Sequence, residues 1–335
     1  MKNPSNWYLI ALTIINVLLI SAFFQLARAD SLLPDSSTAA GGVDYTATLL
    51  HNGKVLVAGG RGFNPKFASN AKLYDPASGT WTNTAPMATN RYAHTATLLP
   101  DGRVLVVGGY WSYFVSCAEV YDPSNQLWKP TGALNTAREN HKAALLPNGK
   151  VLVVGGHGCN QHELSHYLAS AELYDPSTGK WILTGGMNVP RCYFTATELA
   201  DGKVLVVGGL DDNGSYLASA ELYDPTTGTW TRTDSLKVGR QFHTATLLAD
   251  GKVLVAGGAG SNMLLSDAEL YDPATKTWST TGPMTTEHVA HKAALLPNGK
   301  VFITGGSCWP NKVVRSELYD PVSGTWTTNC AVETR

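Results

Sequence analysis

A set of short motifs recurs six times along the chain, and this repetition limits the possible folds more than any other feature of the sequence. Each copy holds a Gly-Gly pair, a Tyr-Asp-Pro segment, and a tryptophan seven residues after that tyrosine. The copies are 47 to 53 residues apart and together fill residues 43–328. The recurring aromatic pairs are Tyr74/Trp81, Tyr121/Trp128, Tyr174/Trp181, Tyr223/Trp230, Tyr271/Trp278 and Tyr319/Trp326.

Each copy predicts four short strands. In the second copy, residues 94–99 form the first strand, and the Pro-Asp-Gly turn at 100–102 uses a glycine that accepts positive φ. Residues 103–107 are β-branched and apolar, which indicates a buried second strand that ends at Gly108. Residues 117–121 form the third strand, and the fourth carries Trp128. Units of four strands at this spacing bury their faces only against one another, as in propellers.

The glycine pair, the tyrosine and the tryptophan at fixed spacing resemble the kelch-repeat family, in the form found in exported bacterial members and in the central domain of galactose oxidase. The resemblance covers nearly all of the chain after the N-terminal segment. It implies an all-β protein: a six-bladed kelch β-propeller over residues 43–335, with four antiparallel strands per blade.

The first 29 residues have the features of an export signal. Residues 7–26 are uncharged and mostly apolar, and Ala27-Arg28-Ala29 has the small residues of a cleavage site. The run is also long enough for an uncleaved anchor, so both interpretations stand. Residues 30–42 then form a linker. The sequence predicts a secreted, periplasmic or cell-surface protein that meets a membrane only through this segment.

Charge composition argues against nucleic acid as a partner. The chain has 25 basic and 26 acidic residues. Removal of residues 1–29 takes away Lys2 and Arg28, which leaves 23 against 26 and a net charge of about −3. No basic run is present to neutralise phosphates.

Comparison of the copies with one another separates scaffold from site. His94, His141, His243 and His291 share one position with Tyr45 and Phe194, so this position is interpreted as packing. An arginine lies three residues before it in four copies, and a glutamate lies on the third strand in five: Arg91, Arg138, Arg191 and Arg240; Glu119, Glu172, Glu221, Glu269 and Glu317. The first copy has Gly42 and Lys72 instead. We therefore expect arginine and glutamate to pair, because a half-buried charge is costly without its partner.

Residues that break the repeat collect in the loops between second and third strands and in the connections between copies. Alternating strand direction places these segments on one face, and loops on a rigid scaffold are the usual binding surface. The candidate ligand-binding residues are Arg61, Tyr110, Trp111, Tyr113, His157, His162, His166, Tyr216 and Trp309.

The third copy has the longest such loop, and it includes His162-Glu163-x-x-His166, the form of a zinc peptidase motif. A helix of adequate length and a clear third ligand are lacking, so His157, His162 and His166 are only weak metal candidates. Residues 211–215 are likewise interpreted as an ordinary turn rather than a calcium loop. The five cysteines at 117, 159, 192, 308 and 330 allow two disulfides, at least one of which we expect to form.

No acid–base pair or nucleophile set emerges from these motifs, so the sequence predicts a non-catalytic module, without cofactor, that binds a protein or a glycan. The family resemblance keeps an enzymatic alternative open: a copper sugar oxidase, or a sialic-acid mutarotase of similar size. Neither catalytic set can be placed on this sequence residue by residue. A structural role in a larger extracellular assembly is a third possibility.

Overall fold

The computed structural model describes residues 44–61, 68–159, 165–306 and 316–329, apart from the side chain of Asn329. The predicted signal segment and linker lie outside these ranges. The described residues are strands, turns and loops without any helix, so the predicted all-β class is confirmed. Within the same ranges, no helical segment has the length and apolarity needed to cross a membrane.

The strands follow the sequence repeats, which we number 1 to 6. Repeats 1 to 3 contain β1 (Thr46–Leu49), β2 (Val55–Ala58), β3 (Ala71–Asp75), β4 (Thr80–Asn83), β5 (Thr95–Leu98), β6 (Val104–Val107), β7 (Ala118–Asp122), β8 (Leu127–Thr131), β9 (Ala137–Glu139), β10 (Lys142–Leu145), β11 (Val151–Val154), β12 (His157–Cys159), β13 (His166–Tyr167), β14 (Ala171–Asp175) and β15 (Lys180–Thr184). Repeats 4 to 6 contain β16 (Thr195–Glu198), β17 (Val204–Val207), β18 (Ala220–Asp224), β19 (Thr229–Thr233), β20 (Thr244–Leu247), β21 (Val253–Ala256), β22 (Ala268–Asp272), β23 (Thr277–Thr280), β24 (Lys292–Leu295), β25 (Val301–Thr304), β26 (Ser316–Asp320) and β27 (Thr325–Asn329).

Each repeat folds into one four-stranded antiparallel sheet, as predicted. The strand order follows the chain in repeat 1 (β1-β2-β3-β4), and the other repeats match it. The number of sheets, however, is not the predicted six. A seventh, three-stranded sheet, β13-β12-β9, is formed in repeat 3 because the residues after its glycine pair extend a contact that other repeats make as isolated bridges. The arrangement is consistent with a propeller.

The first strands of the six four-stranded sheets, called inner strands below, lie next to one another in chain order from β1 through β5, β10, β16 and β20 to β24. The second strands are buried on both faces. Val104 and Val106 pack toward repeat 1, whereas Leu105 and Val107 pack toward repeat 3. Burial of such a side chain contributes about 1.5–3 kcal/mol, so the sheet-to-sheet contacts form the hydrophobic core.

The recurring aromatic residues join neighbouring sheets. Each tyrosine ring packs against the tryptophan of its own sheet, with centroids 5.0 Å apart for Tyr121 and Trp128. The indole Nε1 of Trp128 donates a hydrogen bond to the Ala85 carbonyl of repeat 1, at 2.8 Å. Equivalent bonds are made by Trp181, Trp230, Trp278 and Trp326. These residues therefore serve the scaffold.

The expected pairing of arginine with glutamate is confirmed. The distance from arginine Nη2 to glutamate Oε1 is 2.8 Å for Arg191–Glu221, and the two side chains are fully buried. The other pairs are Arg91–Glu119, Arg138–Glu172 and Arg240–Glu269, and His288 replaces the arginine beside Glu317. Each glutamate also accepts backbone N–H groups from the preceding connection, such as those of Asn188 and Val189. The pair thus ties a connection to its following sheet.

The repeated histidines are structural, in agreement with the packing interpretation. The Nε2 atom of His141 lies 2.8 Å from Thr95 Oγ1 on the inner strand of the preceding repeat. His94, His243 and His291 make the same contact with Thr46, Thr195 and Thr244. Burial and the nearby Arg91 guanidinium lower the pKa of His94 to about 3, so the ring is neutral at pH 7.

Candidate functional site

Six equivalent residues form what we call the mouth, and each lies immediately before the histidine, tyrosine or phenylalanine that precedes an inner strand. They are Asp44, Ala93, Asn140, Tyr193, Phe242 and Ala290, and all have left-handed φ values between 51° and 63°. Such a backbone costs non-glycine residues about 1–2 kcal/mol each. Repetition of this strained geometry with side chains of five different types indicates that the scaffold presents these positions rather than packs them.

Backbone hydrogen bonds hold the mouth together. The Ala93 N–H donates to the Asp44 carbonyl at 3.2 Å, and the Asn140 N–H donates to the Ala93 carbonyl at 2.9 Å. The same bonds run from Phe242 to Tyr193 and from Ala290 to Phe242. Four of the six left-handed residues therefore use their amides to bind the preceding repeat, which fixes neighbouring side chains relative to one another.

A second layer of variable residues lies beside the mouth. In repeats 2 to 5, the residue after the glycine pair bonds through its backbone to the connection that leads into its own repeat: Tyr110 to Tyr92, His157 to Glu139, Leu210 to Cys192, and Ala259 to Gln241. The glycine pair permits this approach, because a Cβ on Gly209 would lie 2.5 Å from the Cys192 carbonyl oxygen. The layer thus carries one loop residue and one connection residue per repeat.

Seven rings form a continuous chain across repeats 2 to 5, which we call the aromatic arc. Successive centroids are 4.6 to 6.4 Å apart, from Tyr92 through Tyr110, Phe114, His157, Tyr167 and Tyr193 to Phe242. The Arg61 guanidinium of repeat 1 lies 5.3 Å from the Tyr92 ring centroid, in a cation–π contact. None of the seven rings is fully buried. The arc is therefore an apolar surface with polar edges, open to a ligand.

Glu139 is the acid within this surface. Its carboxylate lies 3.4 Å from His157 Nδ1, and its side chain is 15% exposed. Burial raises the pKa of Glu139, the contact with His157 lowers it, and the Asp44 carboxylate raises it again. The net shift is upward. Glu139 is thus closer to accepting a proton near neutral pH than an exposed glutamate is.

The residues beside Glu139 respond to the same low-polarity environment. Burial raises the pKa of the Tyr193 hydroxyl to about 12, with further contributions from Cys192, Tyr167, Glu139 and Asp44. Asp44 belongs to repeat 1 and Tyr193 to repeat 4, so this influence crosses the mouth. Burial also raises the pKa of the Cys192 thiol to about 12. Both groups are neutral at pH 7 and can act as hydrogen-bond donors.

The structure brings together only some of the sequence-predicted site residues. Arg61, Tyr110 and His157 lie at the arc or against it. Trp111 and Tyr113 share a loop further out, where the Tyr113 side chain is 64% exposed. His166 lies on β13 opposite Gly158, and the backbone of Tyr216 pairs with Leu210. His162 and Trp309 lie outside the described residues.

Sequence reasoning missed Asp44, Tyr92, Glu139, Tyr193 and Phe242. They belong to the two positions just before the repeated histidine, tyrosine or phenylalanine, and each of these positions holds five different residue types in the six repeats. This variability was the available signal. It was overlooked because the two positions adjoin a scaffold residue and appear to be part of a strand.

Two of the three weak metal candidates, His157 and His166, and three of the five cysteines lie within the described ranges. In the described part of the chain, no three His, Cys, Asp or Glu side chains lie close enough to hold a metal ion. Cys117, Cys159 and Cys192 are free thiols, whereas Cys308 and Cys330 are not described. Cys117 occupies the position of Ser170 and Ser219 and accepts a hydrogen bond from Arg91 at 3.3 Å, so its role is structural.

The strand order, the glycine pairs and the mouth define an all-β repeat protein of the propeller class. A model of the KLHDC2/KLHL20/DRC7 Kelch-repeats domain matches residues 44–238, and a Kelch motif model matches residues 243–285. The first match covers more than half of the chain, so the protein belongs to the kelch-repeat family. The resemblance seen in the sequence is confirmed.

Two solved structures share this fold. One is a fungal alcohol oxidase of the AA5 family in complex with copper, with a TM-score of 0.70 and 18% identity over 87% of this chain and 66% of the oxidase. The other is YjhT, with a TM-score of 0.67 and 17% identity over 89% of this chain and 99% of that one. The chain thus spans slightly less than two thirds of the oxidase. No curated protein matches it. Identities this low support the fold alone.

Proposed function

We propose that this chain acts outside the cytoplasm as a carbohydrate-binding module and that the aromatic arc with Glu139 is its binding site. The leading sequence hypothesis allowed a protein or a glycan. The single observation that favours a glycan is the continuous, half-buried arc of seven rings with a carboxylate among them. A sugar needs this combination, because its C–H faces pack on aromatic rings while its hydroxyls need fixed polar partners.

Several features support a ligand of small size. The mouth residues are held by backbone hydrogen bonds, so the site is preformed and little ordering is required on binding. The Tyr167 N–H donates to Asp212 Oδ1 at 2.6 Å, which joins the loops of repeats 3 and 4 beside the arc. Arg61 and the Tyr193 hydroxyl add donors at different points of the surface.

Proton transfer on a bound sugar is the second candidate function, and the Glu139–His157 contact favours it. A carboxyl group of raised pKa and an imidazole at 3.4 Å can exchange a proton with a ligand hydroxyl. This chemistry fits a carbohydrate-active enzyme that opens and closes a sugar ring. It requires ligand binding at the same arc, so one experiment addresses both functions.

The test is a panel of mono- and oligosaccharides titrated calorimetrically into the mature chain, with anomer exchange followed by NMR for each hit. Tyr193→Ala removes a central ring and is expected to weaken binding at least about ten-fold, equivalent to the loss of one good contact. Tyr113→Ala, on the exposed loop, is the matched control and leaves affinity unchanged.

Glu139→Gln distinguishes the two functions. A pure binding module loses only part of its affinity, whereas an enzyme keeps binding and loses anomer exchange by about 10²-fold or more. Glu198→Gln, at the far end of inner strand β16, is the matched control. If no sugar on the panel binds, or if Tyr193→Ala binds like the unmodified protein, the proposal is wrong.

A further inference from the structure

The inner strands carry two lysines that the carbohydrate proposal does not use. Four inner strands begin Thr-Ala-Thr, in repeats 1, 2, 4 and 5. The other two begin Lys-Ala-Ala, with Lys142 in repeat 3 and Lys292 in repeat 6. The other four repeats have a threonine at this position, and that threonine contacts the histidine of the following repeat. Each lysine therefore takes the place of such a threonine.

The replacement of threonine by lysine in repeat 3 is matched by a replacement of histidine in repeat 4. Thr95 and Thr195 each contact the histidine of the following repeat. Lys142 is followed instead by Phe194, which has no polar atom to satisfy. Lys292 is in the last repeat, and the first repeat correspondingly has Tyr45 in place of histidine. Loss of the threonine thus accompanies loss of the histidine, which frees the lysine ammonium from any role in the scaffold.

The strand also provides room for the long side chain. Residues two apart on a strand share a face, so Ala144 lies on the same side as Lys142. Ala144 packs in the cluster that contains Phe194, Val204 and Val206 of repeat 4, which shows that this side faces the next repeat. The Thr-Ala-Thr strands have a larger threonine there. The lysine stem can therefore lie along the inner surface with its ammonium toward the space that the inner strands surround.

The two ammonium groups have no counter-charge. In the described part of the chain, neither Nζ atom has a hydrogen-bond or ion-pair partner. Burial lowers the pKa of Lys142, and the ammonium of Lys292, three repeats further along the chain, lowers it further. No carboxylate contributes to this shift. Lys142 is half-buried and Lys292 is exposed, and an anion that bound between two ammonium groups without counter-charges would relieve the repulsion between them.

We propose that the space lined by the inner strands, next to the mouth, binds a small oxyanion between the ammonium groups of Lys142 and Lys292. The ligand is a carboxylate or a phosphate, since each offers several acceptor oxygens to two cationic donors. The site is independent of the aromatic arc, and it holds whether or not the arc binds a sugar.

The test is calorimetric titration of the mature chain with inorganic phosphate and, separately, with acetate, at constant ionic strength set by chloride. Binding of either anion, weakened about ten-fold or more by Lys142→Thr/Lys292→Thr, is the expected result. The two anions distinguish a phosphate site from a carboxylate site. Lys129→Thr removes an equal charge from the exposed outer strand β8 and leaves binding unchanged.

A third variant protects the test against misfolding. Lys142→Thr/Phe194→His recreates the threonine–histidine contact of the other repeats, and it is expected to fold normally while it loses most anion affinity. The anions should also raise the melting temperature of the unmodified protein but not that of the double-lysine variant. Absence of binding by the unmodified protein, or binding that survives loss of both lysines, overturns the proposal.

Discussion

The Arg–Glu layer and the mouth lie a few residues apart in repeats 2 to 5, yet they follow opposite rules. In the Arg–Glu layer of these four repeats the residues stay the same, the charges are paired, and Arg91, Arg138, Arg191 and Arg240 are completely buried. At the mouth the backbone stays the same while the side chain changes from aspartate to alanine, asparagine, tyrosine and phenylalanine. The scaffold keeps the same residue types from repeat to repeat. The candidate site keeps the same backbone conformation, but its side chains change.

The comparison shows how one sequence can stabilise six similar sheets and still build a single asymmetric site. Stability comes from contacts that each repeat makes with its neighbour, such as Thr95 with His141 and Trp128 with the Ala85 carbonyl. These contacts leave the mouth side chains without a structural duty. Glu139 and Tyr193 can therefore keep costly environments, with pKa values raised by burial, because neighbouring layers supply the stability.

The strongest test of this comparison is the removal of one charge from the Arg–Glu layer. Glu221→Gln leaves the Arg191 guanidinium buried without its counter-charge and weakens two backbone hydrogen bonds from Asn188 and Val189. We expect the free energy of unfolding to fall by about 3–5 kcal/mol. Urea denaturation at pH 7 measures this change. A loss below about 1 kcal/mol would show that the layer behaves like surface ion pairs and that its uniformity has another cause.

The second prediction concerns the repeated histidines and pH. The pKa is about 3 for both His94 and His291 in the folded protein, against 6.5 for an unperturbed histidine. Unfolded histidines gain protons as the pH falls below about 6.5, whereas the folded ones stay neutral. The contribution of these histidines to the free energy of unfolding is therefore at its full value above that pH. It falls as the pH drops toward 3. At pH 5 each buried histidine lowers it by about 2 kcal/mol.

Urea titrations between pH 7.5 and 5 measure this slope, and His94→Phe supplies the control because Phe194 shows that the position accepts a phenyl ring. The variant should lose one histidine's share of the pH dependence, although its stability at pH 7.5 is lower. If the slope is the same in both proteins, the folded histidine is protonated and the packing interpretation is wrong.

The repeated parts of the fold were predictable and the site was not, for a physical reason. Strand boundaries, the Arg–Glu pairs and the neutral histidines follow from needs common to all repeats, so six copies act as an internal alignment. Tyr110 and His157 were found because they stand out in loops. Glu139 was not found, because its role depends on the His157 ring, which strand pairing brings opposite it, and on Asp44 from another repeat. Strand β13 of the three-stranded sheet in repeat 3 likewise forms only because a long loop returns to β12.

The smallest effect is expected from a glutamate-to-glutamine substitution beside the mouth, at Glu139, and it completes the comparison. Burial disfavours the charged form of Glu139, so Glu139→Gln removes a cost at pH 7 and changes the free energy of unfolding by no more than about 0.5 kcal/mol, in the stabilising direction. Because the pKa is raised in the folded protein, the wild-type carboxyl destabilises only as the pH rises above its unfolded value of 4.5. The difference between variant and wild type should therefore vanish below that pH and grow above it. Urea denaturation at pH 4 and pH 7, with Glu221→Gln measured alongside, gives the contrast directly. A loss of stability comparable to that of Glu221→Gln would place Glu139 in the scaffold and remove the main argument for a site at the aromatic arc.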